Sequence, residues 1–512
     1  MSDKPDFITL NSQEYQAITC YDRLNMPRHA LDWSNVPRQT KSYPLLPTTA
    51  LEARVDLTGK SFWQVMEDGG GSSPKATLDI QSLSAVLGLA YGYTARQRAG
   101  GQEYLYRSVP SAGALYPVEI YVSGAGNPGL PPGLFHYDIK TFSLQQLRGE
   151  GSLARIAGTL GIPKPEKSWV SFILSGIFFR SAWKYHKRAF RYVMLDMGHL
   201  IENLVTALNF AGLSCSVRYD FVDQDLCSLV GLDRRKEACF AIVDVHPGDK
   251  GPDIEETPTI PESVEPVADV VNASRVSPHE RSYDAIEGIY HTSSEDCKGG
   301  DPRGKVSLLT LPEPREWFPV RPQEDGESHG TDYAGVVQGR RSRRNFVRKP
   351  VPVRSFMRLL SLVGSTPGSG HRQEPGLPFV TTGFLVGRVE DFHQGFYRLS
   401  DEGKSFGLLK SGSFVEKMAG VCLDQLWLAN AGLLFLFMCN LKTLDNTYGA
   451  RGYRYAMLEA GILGQRLYLG STALGLGCCG IGAYYDNEAR ELLSLIEDSY
   501  LLYLVAVGRV KK

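Results

Sequence analysis

The chain lacks an excess of either charge. Its 512 residues carry 55 Lys and Arg against 56 Asp and Glu, a formal net charge of −1. No general attraction to nucleic acid or to an anionic membrane follows from that balance. Long apolar runs are also missing. The longest, residues 431–439, is about nine residues, too short to span a bilayer and suited to a buried strand. The N-terminal stretch MSDKPDFITLNSQEYQ holds no apolar signal core. Cysteine is scarce and odd in number, nine in all, with no CxxC pair and no zinc-ligand spacing. That argues against a disulfide framework or a metal site and for a reducing, cytoplasmic setting. The adjacent Cys478 and Cys479 read as buried structural thiols. Hydrophobic residues make up 43% and charged residues 22%, the balance of a soluble enzyme, and the length suits two large domains or three ordinary ones.

What the chain has in place of these is a second copy of its own central segment. Residues 184–213, KYHKRAFRYVMLDMGHLIENLVTALNFAGL, return as 447–476, TYGARGYRYAMLEAGILGQRLYLGSTALGL, at an offset of 263 with no gap. Tyr185, Arg188, Arg191, Tyr192, Leu195, Gly198, Leu204, Gly212 and Leu213 all recur. Apolar residues stand at helical spacing in both copies: Phe190, Val193, Met197, Leu200, Leu204, and Tyr453, Ala456, Ala460, Leu463, Leu467. The spacing predicts a spine helix of roughly 24 residues, about 36 Å long, in each half. Two such units in one chain predict a covalent version of a symmetric dimer. Arg188 and Arg191 recur as Arg451 and Arg454, which points to a shared structural role. His199, inside the first spine, reads as a hydrogen-bonded structural histidine.

Residues 1–59 are polar and proline-punctuated and read as an arm wrapping the first domain. The first half, 60–247, predicts a helix over 83–91 and strands over 118–122, 172–179 and 238–245. Residues 248–330 turn rich in Pro, Glu, Asp and Ser and lose apolar periodicity. They read as a partly ordered linker, with a short helix over 283–291 if the arm is also duplicated. The second half, 331–512, predicts a helix over 353–363 and strands over 381–386, 433–439 and 501–507. The mixture predicts an α+β fold.

Three stretches carry candidate chemistry. Arg340, Arg341, Ser342 and Arg344 pack guanidinium forks beside a hydroxyl, a set that binds phosphate oxygens or forms a solvated basic loop. Pro110, Ser111, Ala112, Gly113 and Ala114 open a turn of small residues where a backbone can be approached closely. Gly480, Ile481 and Gly482 end a glycine run that also satisfies GxGxxG. A dinucleotide site needs a strand before and a helix after; here a helix precedes, so a Rossmann site is rejected.

Lys184-Tyr185, the Arg-Tyr pattern that follows and the long helix with Gly-His resemble the azoline-oxidising branch of the FMN-dependent nitroreductase superfamily. The likeness covers roughly 60–247 and 330–512. It implies two nitroreductase-like domains joined as an intramolecular pseudo-dimer, with flavin sites built from both. By that resemblance Arg340, Arg341, Ser342 and Arg344 hold the FMN phosphate, with Arg509 a weaker second contact. The turn at 110–114 and Gly480, Ile481 and Gly482 lie against the flavin. Lys184 and Tyr185 are the catalytic pair. Oxidation of a thiazoline or oxazoline removes a proton from carbon and passes a hydride to flavin N5, and a Tyr beside a cation can serve as the base. The implied partners are a peptide or small-molecule substrate and a cyclodehydratase of a peptide-modifying system. An NAD(P)H-dependent nitro or quinone reductase, and a flavin-binding or scaffold protein without turnover, stand as the other readings.

The halves are not equivalent. At the offset of 263 the turn 110–117 falls on 373–380, Gly480-Ile481-Gly482 on Val217-Arg218-Tyr219, Lys184 on Thr447 and Arg509 on His246. An offset of 273, taken from the first helices, puts the arginine cluster on Glu67-Asp68-Gly69-Gly70-Gly71, where two carboxylates would repel a phosphate. One complete site is therefore expected, with clamp and glycines from the second half and turn from the first, and one FMN per chain.

Overall fold

The computed structural model describes residues 8–26, 30–53, 57, 59–67, 78–99, 102–162, 169–246, 273–295, 310–321, 331–364 and 379–511. Residues 68–71 and 373–378, and with them most of two of the compared segments, lie outside that set.

Each half holds one seven-stranded sheet. In the first the order is Thr48–Ala50, Ser143–Arg148, Gly133–Asp138, Val118–Gly124, Val170–Ile177, Glu237–His246, Ser214–Arg218. In the second it is Phe318–Pro319, Ser405–Ser411, Gly395–Leu399, Thr381–Val386, Leu433–Asn440, Ser499–Gly508, Gly477–Ile481. Neighbouring strands pair antiparallel throughout both sheets. The central strands Val170–Ile177 and Leu433–Asn440 are buried along their whole length, which explains continuous apolar runs in place of alternation. The sequence places these strands, and the helices Ile80–Tyr91 and Val353–Gly364, within a few residues of where they lie.

The spine is shorter than its sequence pattern. It divides into Phe178–Tyr185 and Ala189–Phe210 in the first half, and Leu441–Tyr448 and Arg451–Ala473 in the second. The break falls at His186 (φ 50°, ψ −136°) and at its counterpart Gly449 (φ 61°, ψ −164°). No helix continues through positive φ. Lys184 and Tyr185 thus close a short helix and do not open the long one.

The two long helices cross at Gly198 and Gly461, which are equivalent at the offset of 263. A Cβ on Gly198 would lie 2.9 Å from Gly461 Cα, and one on Gly461 2.9 Å from Gly198 Cα. Only glycine at both positions lets the backbones touch on the pseudo-two-fold axis. One hydrophobic core runs continuously through both halves around this crossing.

Two reciprocal clamps lock the halves. Arg188 and Arg191 of the first spine each reach Asp486 of the second half at 2.8 Å. Arg451 and Arg454 of the second reach Asp223 of the first at 2.8 and 2.7 Å. All six are buried. The arm is indeed duplicated. Its helix Ser12–Ile18 covers the first clamp, with the carbonyls of Gln16 and Thr19 accepting from Arg191 and Arg188. The linker helix Asp284–Glu295 covers the second through the carbonyls of Tyr290 and Ser293. The arm also adds the edge strand Thr48–Ala50 to one sheet, and the linker adds Phe318–Pro319 to the other.

Candidate functional site

The turn at 110–117 folds with Gly113 at φ 67°, Ala114 at 54° and Tyr116 at 49°, conformations that cost a residue with a Cβ. Asp196 of the first long helix holds it. The Ser111 hydroxyl donates to Asp196 Oδ2 at 2.5 Å and the Ala112 N–H to Oδ1 at 3.2 Å. The Tyr116 N–H donates in turn to Ser111 Oγ at 2.8 Å.

Above the turn sit Lys184 and Tyr185. A Cβ on Gly113 would stand 3.0 Å from the Tyr185 hydroxyl and 3.3 Å from Lys184 Nζ. The glycine is therefore required by contact with this pair as well as by its φ. Tyr185 lies against Tyr192, ring centroids 4.1 Å apart, and the Tyr192 hydroxyl donates to the Gly482 carbonyl at 3.1 Å. Gly482 belongs to the second half, so the pair sits on the seam. Burial, helped by the positive field of Arg344, lowers the Lys184 amine from its usual range. Burial pushes the Tyr185 phenol up, Asp196 and Tyr21 add to that, and Arg344 opposes it weakly. Burial thus works against the expectation that a neighbouring cation frees the Tyr185 proton.

The second half supplies the cationic side. Ser342 bridges to Cys478, and its hydroxyl lies 2.9 Å from that of Tyr468, which accepts from the Gly480 N–H at 2.8 Å. The Arg343 N–H donates to the Cys478 carbonyl at 2.8 Å. Arg344 is exposed and lies over Trp427 at 5.8 Å, and its charge opposes the burial that raises the Cys479 thiol. Gly477 pairs with Gly508, so Arg509 emerges at the same edge, its Nε–H directed to the Pro350 carbonyl at 3.3 Å.

Several expected contacts take another form. Arg340 is buried and donates to the carbonyls of Ser108 and Arg107 at 2.7 and 3.0 Å. Arg341 donates to Thr94 Oγ1 and O at 3.2 and 2.9 Å. These two arginines stitch the second half to the first half's backbone, because carbonyls of the adjoining hairpin Tyr93–Ala99 and Gln102–Arg107 lie within their reach. Gly480 and Gly482 are required by tyrosines: a Cβ on Gly480 would collide with the Tyr503 hydroxyl, and one on Gly482 would stand 2.6 Å from the Tyr192 ring. The comparison of Glu67 and Asp68 with the arginine cluster depends on the register chosen, and Asp68 lies outside the described residues. Ser61 bridges Asp332, with the helices Phe62–Glu67 and Tyr333–Gly339 starting just after them. That register, an offset of 271, moves the counterparts of Arg340 onward from Gly69, outside the described residues. Glu67 instead pairs with Arg358 at 3.0 Å.

The pseudo-equivalent place carries one ring more, Tyr219 at the position of Gly482. Tyr219, Phe379, Tyr448 and Tyr455 stand where Gly482, Tyr116, Tyr185 and Tyr192 stand in the first. Phe379 contacts Tyr455 at 5.1 Å and Tyr448 at 5.5 Å, and Tyr219 lies 6.1 Å from Tyr455. Asp220, bonded by the Tyr455 hydroxyl, adds a carboxylate there.

The residues present fit a phosphorylated flavin at the first place. Ser342, Arg343 and Arg344 run beside Cys478 and Arg509 follows Gly508, so hydroxyl and guanidinium residues border the strand Gly477–Ile481 on one side of the seam. The small, partly exposed Ser111, Ala112, Gly113 and Ala114 lie on the other. Arg340 keeps one buried nitrogen, Nη1, without a partner.

Sequence reasoning missed Asp196, Tyr192 and the acids Asp223 and Asp486. The signal was available: Asp196 maps onto Glu459 and Asp223 onto Asp486 at the same offset. Glu459 accepts from the Phe379 N–H. His199 is buried between Gln465 and Tyr503, each at 3.0 Å, and burial lowers its pKa to about 3. It is a neutral structural link.

The nitroreductase family model matches the chain twice, over residues 74–245 and 337–509. A stretch of 178 residues is 32% identical to the protein named as nitroreductase MJ1384 of Methanocaldococcus jannaschii, covering 34% of this chain and 89% of that one. The trifolitoxin-processing protein TfxB of Rhizobium leguminosarum bv. trifolii is 28% identical over 33% of this chain and 47% of its own length. The microcin B17-processing protein McbC of Escherichia coli is 25% identical over 26% and 51%. The chain thus spans about half of these two processing proteins. A crystal structure from Anabaena variabilis described as a nitroreductase matches 98% of this chain and 99% of its own at a TM-score of 0.77 and 23% identity, a likeness of fold across the whole tandem. Among the described residues no helix is long and apolar enough to cross a membrane.

Proposed function

This chain belongs to the nitroreductase family as a tandem of two of its domains, and on that premise we propose that it is an FMN-dependent oxidoreductase with one working site per chain. The observation that carries the reading is the convergence at a single seam. The turn 110–114 and Lys184-Tyr185 come from one half, Arg344 and the strand Gly477–Ile481 from the other, and at the pseudo-equivalent place Tyr219 stands for Gly482 and Thr447 for Lys184.

We further propose that the reaction is dehydrogenation of a thiazoline or oxazoline ring in a peptide. The Lys184-Tyr185 pair supports it, as do two relatives named for processing trifolitoxin and microcin B17. Ser342, Arg343, Arg344 and Arg509 would hold the phosphate, and the turn would lie along the ring system. FMN, when bound, would supply the two-electron acceptor for the hydride that the azoline gives up. The chain's own part is the proton. The Lys184 amine, lowered by burial and by Arg344, takes it from the ring carbon. Tyr185 keeps its hydrogen and presents a hydroxyl donor beside Gly113. Loss of one proton and one hydride converts azoline to azole. A cyclodehydratase that makes the azoline is the implied partner.

The test is purified protein reconstituted with FMN and an azoline-containing peptide. The wild type removes two hydrogens by mass. Lys184→Ala retains flavin and loses about 10²–10⁴ in rate, the usual effect of removing a general base. Tyr185→Phe retains flavin with a smaller loss. Wild-type rates in both variants would remove the pair from the chemistry. Fast flavin bleaching by NAD(P)H with no peptide oxidation would establish the reductase reading instead.

A further inference from the structure

The strained turn is fixed from beneath by one carboxylate. Asp196 is buried, and it receives the Ser111 hydroxyl and the Ala112 N–H on its two oxygens. Ser111 passes the restraint on by accepting the Tyr116 N–H at 2.8 Å, so both ends of the left-handed stretch are tied to one side chain. Gly113, between them, is the residue that touches Tyr185 and Lys184. In the second half Glu459, at the position of Asp196, accepts from the Phe379 N–H, and Thr447 stands at the position of Lys184.

We propose that Asp196 is the positioning residue of the site: from the first long helix it sets the shape of the 111–114 turn and, through Gly113, the placement of Lys184 and Tyr185. The inference rests on the flavin-site reading above and deepens it.

The electrostatics give the arrangement a further property. Burial raises the Asp196 pKa to about 7, with only the Ser111 hydroxyl and the Ala112 N–H acting against it. The titratable groups that feel its charge are Tyr91 from the helix Ile80–Tyr91, Tyr116 from the turn, Tyr185 from the helix Phe178–Tyr185, and Tyr503 from the second sheet. Burial holds all four as neutral phenols. An ionised Asp196 accepts both turn donors. A protonated one has only one oxygen free of its own hydrogen, so one of the two bonds weakens as pH falls through about 7.

The experiment measures FMN affinity of the intact chain by flavin fluorescence across pH, with thermal melting as a control for folding. Asp196→Asn sets an amide nitrogen against one donor and removes the charge. Affinity above neutral pH falls about 10- to 100-fold, the range for a charge-assisted hydrogen bond. The step near neutral pH that distinguishes the wild type is flattened; titration of the FMN phosphate, common to both proteins, cancels in the ratio. Asp196→Glu, the side chain used at position 459, restores most of the affinity and the step. Ser111→Ala removes the other partner, and its effect with Asp196→Asn is less than additive, because both act through one bond. Unchanged affinity and an unchanged pH profile in Asp196→Asn, or strict additivity with Ser111→Ala, overturns the proposal. Failure of the wild type to bind FMN at all overturns the flavin reading on which it rests.

Discussion

Asp486→Asn is the sharpest test of the reciprocal clamp. Asp486 Oδ2 accepts from Arg188 Nη1 at 2.8 Å and from the Tyr21 N–H at 2.9 Å, while Oδ1 accepts from Arg191 Nη1 at 2.8 Å and Gln16 Nε2 at 3.3 Å. Asparagine keeps one oxygen and points an amide at donors, leaving two buried guanidiniums without a counter-charge. Breaking a buried ion pair this way costs about 3–5 kcal/mol. The size of the melting shift then depends on what unfolds. At about 2.1 cal/mol/K per residue, the 512-residue chain melting as one unit loses about 3–5 °C; a half melting alone would lose about twice that. The clamp joins an acid of the second half to arginines of the first, so the reasoning requires one transition that moves as a whole in differential scanning calorimetry. The pH dependence has a definite sign. Burial raises the Asp486 carboxyl, but Arg188 and Arg191 more than reverse this and hold it below the usual range. Its contribution is therefore complete above the unfolded value of about 3.9 and is lost as pH falls through the lower folded value. The gap between wild type and variant narrows only in that acid window. An unshifted melting temperature, or two transitions of which one moves, would refute the account.

Two further outcomes follow from the seam. Gly198→Ala places a methyl group against the Leu458 carbonyl and Gly461; overpacking at backbone contact costs about 1–3 kcal/mol or more, and urea midpoints should fall accordingly, whereas Gly212→Ala, with open space around its Cβ position, should fall less despite its φ of 76°. Flavin released by denaturation after reconstitution with excess FMN should approach one mole per mole of chain; a value near two would mean that the second place, with Tyr219 and Thr447 at the positions of Gly482 and Lys184, still binds it.

The repeat made the architecture legible because packing had preserved its register. Gly198 with Gly461, and Arg188 and Arg191 with Arg451 and Arg454, are answered by partners across the axis, so their recurrence reports real contacts. The break after Lys184 and Tyr185 was hidden because His186 carries no glycine signal in the first copy, although Gly449 does in the second. The roles of Arg340 and Arg341 were hidden for another reason: a guanidinium near a phosphate and one capping carbonyls look the same in sequence. Asp196 was concealed in a helical pattern whose other buried positions are mostly apolar. What marks it is a carboxylate kept at both copies with no cation in reach of its neighbours along the helix.

A pair of separate identical subunits inherits every substitution twice, so a change that ruins one interfacial site ruins both. The linker between these halves lifts that constraint. Val217 and Tyr219 stand in one copy where Gly480 and Gly482 stand in the other, a difference that two identical chains could not carry. The tether also turns the meeting of the halves into a unimolecular event whose effective concentration is set by the connecting segment rather than by expression level. On the proposed reading, the place that has Thr447 at the position of Lys184 is then free to change under selection for stability alone, while the other remains held to its chemistry.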